Sequence, residues 1–163
     1  MKNILCLVTL FCISLFYLLQ ALSQNLQSGL PSDITSYKKW TRLNKKIIPP
    51  READPHFGFK RVYVNRLKSE LADSSRNLIF PYKEGTIVLK EVRKTPKPNS
   101  KIVLISIMRK QAGNELTGGW DFVEYSRSSD GSFQPINFPK ESCFSCHRGA
   151  ADSDGVWTRF DNF

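Results

Sequence analysis

The residues whose types and spacing can do chemistry stand together near the C-terminus: Cys143-Phe144-Ser145-Cys146-His147. Two thiols three positions apart can add to the two vinyl groups of one haem, and the histidine beside the second thiol then meets the iron as an axial ligand. A structural zinc site is a weaker reading of the same string, because it needs further ligands and the one other histidine in the sequence is His56. A thioredoxin-like redox pair is weaker too, since nothing around the string reads as a strand feeding a helix in a βαβ unit.

A haem held this way leaves one face of the iron to be accounted for. Electron-carrying cytochromes close it with methionine or histidine. Outside the N-terminal segment the chain offers Met108 and His56. Met108 alternates with Ile102, Leu104 and Ser106, which reads as sheet core, and His56 follows Pro55 in a connector, which reads as an exposed loop residue. The second axial position is therefore expected to be open to a small ligand such as NO, with a six-coordinate electron carrier as the alternative. Lys90 is the other unusual residue. By strand alternation it shares a face with Val88 and Val92, and an ammonium among apolar side chains is costly unless something neutralises or uses it. The plainer reading puts it near a sheet edge with its amine reaching water.

The elements that must position these groups are mostly strands. Residues 57–65, rich in aromatic and β-branched side chains, read as a strand, as do 86–94, 101–109 and 120–126. Turn sequences at 81–85, 96–99, 113–119 and 128–131 separate them. Ser32-Asp33 ahead of Ile34, Tyr37, Trp40 and Leu43 reads as a capped helix, 66–73 as a short helix, and the proline-bearing stretch 45–55 as a connector. The class expected is α+β with β dominant: an antiparallel sheet flanked by a few short helices, those at the two ends covering one face. The chain has 163 residues, which suits one domain over residues 24–163.

Residues 1–23 read as an export leader, with Lys2 ahead of an almost wholly apolar run and small residues at Ala21 and Ser23 for cleavage; an uncleaved membrane anchor is the alternative. The folded part is then expected in the periplasm. Cys6 and Cys12 fall inside the leader, so Cys143 and Cys146 are the pair that the domain retains. The formal net charge of +9, of which the leader carries only Lys2, suits an acidic redox partner or an anionic surface. The charges are scattered without a recognition motif for nucleic acid.

These residues resemble a known family, the cytochrome P-460 proteins and the related cytochromes c′-beta. The likeness rests on Gly85-Thr86-Ile87-Val88-Leu89-Lys90-Glu91, on Gly119-Trp120-Asp121-Phe122, and on Cys143 through His147 followed by Asp154, Val156, Thr158, Arg159 and Phe160. The resemblance implies a β-rich, usually dimeric fold around one five-coordinate c-haem, and an oxidoreductase acting on hydroxylamine or NO. In the hydroxylamine-oxidising members a lysine is joined covalently to the porphyrin, and Lys90 stands at that lysine's place. Those members also carry a distal carboxylate on or near the strand before the Gly-Trp segment, whereas residues 101–108 here contain no acid. Glu115 and Glu91 are the substitutes in sight, although Glu91 points away from Lys90 on a regular strand. Without a base the chain would bind NO without turnover, as a cytochrome c′-beta does.

Overall fold

A computed structural model describes residues 28–163. The expected strands form one six-stranded antiparallel sheet in which every strand pairs with its neighbour in sequence, in the order β1 to β6. The strands are β1 (Thr41–Arg42), β2 (Phe59–Val64), β3 (Ile87–Arg93), β4 (Ile102–Lys110), β5 (Trp120–Arg127) and β6 (Phe133–Ile136). The sequence reading has no counterpart of β6, whose four residues include a proline. Proline is tolerated there because β6 is an edge strand with one unpaired side. The backbone of Ser28 covers part of that edge, its carbonyl accepting from the Phe133 N–H. The class is the expected one, β-dominant α+β with a few short helices.

Alternation along the strands builds two cores. On one face Val62, Val64, Val88, Met108, Trp120 and Phe122 pack beneath the C-terminal segment; on the other Tyr63, Leu89, Ile105, Ile107 and Phe133 pack beneath Ile34 and Tyr37. The terminal segments therefore cover opposite faces, not one shared face. Each removes a separate apolar surface from water, and every fully buried large side chain contributes about 1.5–3 kcal/mol.

The helix expected after Ser32 is not an α-helix. Ser32–Ile34 and Tyr37–Lys39 form two single turns of 3-10 helix, and the chain extends at Trp40 into β1. The apolar residues 34, 37, 40 and 43 recur every three positions, the period of a 3-10 helix and not of an α-helix. Leu43 has crossed to the opposite core, which a continuing helix would forbid. Two short α-helices follow: α1 (Lys68–Leu71) and α2 (Lys140–His147). Pro139 precedes α2 in an extended conformation, and a further 3-10 segment, Arg148–Ser153, continues from its end. The leader read over residues 1–23 lies outside the described residues.

Candidate haem site

Cys143, Cys146 and His147 all lie on α2, which packs over the Trp120 and Phe122 face of β5. Three residues of spacing put both sulfurs on one side of the helix, and the histidine extends that side by one position. The helix is held close at Gly118, whose φ of 65° suits glycine and where a Cβ would come within 2.8 Å of the Phe144 ring. All three α2 side chains line one cavity of about 550 Å³, whose remaining walls combine apolar Ile48, Phe122, Phe138 and Trp157 with polar groups from the sheet and from the connector before β2.

His147 is oriented from behind. Its Nδ1 lies 2.6 Å from the Gly155 carbonyl oxygen, so Nδ1 carries the proton and Nε2 keeps its lone pair. The ring also packs on Phe122, with centroids 5.1 Å apart. Burial holds its pKa below the ordinary value, against the opposing pull of the Gly155 hydrogen bond, and a neutral imidazole is the form that ligates a metal. The loop that supplies the Gly155 carbonyl is pinned through Asp154, which adopts a left-handed conformation with φ 53°. Its carboxylate accepts from Lys110 Nζ at 2.7 Å and from the Tyr82 N–H at 2.9 Å, and its carbonyl accepts from Trp120 Nε1 at 2.8 Å.

Lys90 faces the same cavity. It is not at an edge, since β3 lies between β2 and β4. The sheet register aligns Val62, Lys90, Ser106 and Glu124 as one row across β2 to β5. The neighbouring row, Val64, Val88, Met108 and Phe122, is apolar throughout. Met108 is thus a core residue and does not line the cavity.

Three polar residues that the sequence reading misplaced or missed complete the walls. His56 is not an exposed loop residue: its side chain is 15 % exposed, and its Nε2 donates to Glu124 Oε1 while its Nδ1 lies 2.6 Å from Lys90 Nζ. Asp54 accepts from the His56 backbone N–H at 2.8 Å and pairs with Lys60 Nζ at 2.7 Å, which ties the connector to β2. Glu124 is the cavity's carboxylate from the sheet, beside Asp54 from the connector. Burial pushes its pKa up, but hydrogen bonds from His56 and Ser106 and the nearby charges outweigh burial and hold it below the usual range. The amine of Lys90 is driven the other way by burial, down to about 8, with Asp54 and Glu124 opposing the shift.

Neither substitute considered for the base reaches the cavity. Glu115 lies on an exposed 3-10 turn, and Glu91 is fully buried on the opposite face, where Lys38, Arg93 and Tyr37 bind it. Glu124 could have been found by the logic that singled out Lys90, since it shares an alternating face with Trp120 and Phe122. No local pattern marks His56, which reaches the site by the path of the connector.

The residues present fit a haem: two thiols, an imidazole with one nitrogen free to ligate and apolar walls meet at one cavity. No curated protein matches the chain significantly. The family model described as Cytochrome P460 matches residues 34–158, which include every strand of the sheet and the whole of the cavity's wall. On that match, which spans most of its length, the chain belongs to the cytochrome P460 family and, as a cytochrome, binds haem.

Proposed function

We propose that the chain is an exported c-type cytochrome that carries one haem through thioethers at Cys143 and Cys146, with His147 as axial ligand, and oxidises hydroxylamine or NO at an open distal site. The observation that carries this reading is the assembly of Lys90, His56 and Glu124 on the walls of the cavity that holds Cys143, Cys146 and His147. When bound, the haem supplies the redox-active iron. The chain's own residues supply the rest. Each electron withdrawn from hydroxylamine must be matched by loss of a proton, and Glu124, ionised and paired with His56, is a base of suitable kind at the cavity wall. Lys90, in the position of the family's cross-linked lysine, is proposed to bond to the ring.

Six-coordination is the poorer reading on this geometry. Met108 sits in the core, and both ring nitrogens of His56 are already engaged, one by Glu124 and one by Lys90. An acidic redox partner would be drawn to so basic a chain and could take the electrons.

Optical spectra of the matured protein and a hydroxylamine assay with an added electron acceptor test the proposal. A high-spin ferric spectrum, a strongly red-shifted ferrous Soret band and steady hydroxylamine consumption are expected. Glu124→Gln is expected to lower kcat by roughly 100-fold with haem content unchanged. An ordinary low-spin c-type spectrum would refute the open site. Binding of NO with no consumption of hydroxylamine would reduce the chain to a ligand-binding protein.

A further inference from the structure

Glu124, His56 and Lys90 form a chain of hydrogen bonds whose direction is fixed by its ends. An ionised carboxylate can only accept, so His56 Nε2 carries a proton toward Glu124 Oε1. His56 Nδ1 then holds a lone pair, and the group 2.6 Å from it is Lys90 Nζ. A carboxylate behind an imidazole, with the imidazole against a nucleophile, is the arrangement by which hydroxyls and thiols are activated elsewhere. Here the nucleophile is an amine.

The parts are set by different elements, and each is held. Glu124 and Lys90 are fixed by register, one on each side of Ser106 across the central strands. Ser106 also hydrogen-bonds to Glu124. His56 is carried in from the connector and anchored by Asp54, itself tied to Lys60. The titratable and charged groups that face Lys90 are therefore the Asp54 and Glu124 carboxylates, the Lys60 ammonium, the His56 ring in contact with it and the His147 imidazole, with Cys143 and Cys146 titratable only until a haem is attached to them.

We propose that His56, oriented by Glu124, is the general base that takes a proton from Lys90 and delivers its amine as the nucleophile that bonds to a ring carbon of the haem. This rests on the reading above that the cavity holds a haem to which Lys90 becomes joined. Forming that N–C bond replaces one N–H bond of the neutral amine and one ring C–H bond, so two protons and two electrons leave. A peroxide takes both electrons and both protons and departs as two waters. The proton first drawn from the ammonium passes through His56 to solvent at the cavity mouth. The linked nitrogen, conjugated to the ring, is no longer basic. His56 and Glu124 are then released to accept protons from substrate.

The experiment follows the link itself and not turnover. Full-length chain, matured with its thioether-bound haem, is exposed to hydrogen peroxide, and the peptide joining Lys90 to the haem-bearing Cys143 peptide is quantified by mass spectrometry over time. At about pH 7, His56→Ala and Glu124→Gln are expected to form the link about tenfold or more slowly than wild type. Raising the pH deprotonates the amine without help, so near pH 9.5 both variants are expected to approach the wild-type rate, and added imidazole is expected to rescue His56→Ala. Wild-type rates in both variants at about pH 7 overturn the inference and leave the proposed function standing. A deficit unchanged by pH and by imidazole also overturns it, because that is the mark of a structural role. A wild-type chain that never forms the link removes Lys90 from the proposed function and the inference with it. If His56→Ala does not accumulate as haem protein, Glu124→Gln and its pH profile decide.

Discussion

Asp154 shows at the scale of single residues how much of the site is built behind the groups that touch a ligand. It contacts nothing in the cavity, yet its side chain and backbone hold Lys110, Tyr82 and Trp120 while the next residue presents its carbonyl to His147. An imidazole whose Nδ1–H is held by a carbonyl is a stronger donor at Nε2, and partners of this kind typically change metal affinity or activity by about 10–100-fold. Asp154→Ala is therefore expected to raise the reduction potential of the haem protein and to lower turnover by roughly 10-fold. Potentiometric titration beside wild type checks the direction. The Lys110 ammonium also stands 5.0 Å from the centre of the Trp120 ring, so the substitution removes the anion that balances it there.

Among the elements, α2 matters most because the three residues proposed to hold the haem ride on it. It has no fully buried residue of its own, so its position depends on half-buried contacts: Cys143 and Phe144 against the sheet core, and Phe144 over Gly118. Gly118→Ala would place a methyl group 2.8 Å from the Phe144 ring on a backbone with φ of 65°. The cost expected is about 1–3 kcal/mol, with a smaller yield of haem-attached protein, because the displaced Phe144 ring sits on the helix that carries the thiols. Thermal melting and haem quantification check the two effects separately.

At the scale of the whole molecule, the two faces of the sheet divide the work. One face carries the cavity proposed to hold the haem, while the opposite face is locked by Glu91, which accepts from Tyr37 OH at 2.6 Å and Arg93 Nε at 2.7 Å and pairs with Lys38. Burial pushes the Glu91 pKa up, but its hydrogen bonds from Arg93 and Lys38 more than offset this and leave it below its ordinary value. A carboxyl depressed in the folded state stabilises the fold fully above its ordinary pKa of about 4.5 and loses that contribution as pH falls through the folded value. Acid should therefore destabilise wild type below about pH 4.5. Glu91→Gln, which leaves the buried Arg93 guanidinium and the partly exposed Lys38 ammonium short of a charge partner, is expected to cost about 3 kcal/mol at neutral pH, nearly all of it from Arg93, and to flatten the acid limb. The optical spectrum of its haem should be unchanged, because the substitution lies across the sheet from the cavity. Melting curves from pH 3 to 7 on both proteins, roughly bracketing the ordinary carboxylate range, check the sign.

The sequence by itself determined what is local. The thiol and imidazole string is contiguous, the strands and turns follow from alternation and punctuation, and Lys90 stands out because a strand's period puts it among valines. Glu124 was legible by the same period. The length of the first helical segment was not, because a three-residue apolar spacing fits several conformations until Leu43 is seen in the opposite core. Only the tertiary structure decided that His56, Lys90 and Glu124 meet. His56 lies 34 residues from Lys90 and 68 from Glu124, and the connector that delivers it carries no periodicity from which its path could be read. Local patterns report which face a side chain takes, whereas contacts between faces depend on register and on loop paths set by the packing of the whole chain.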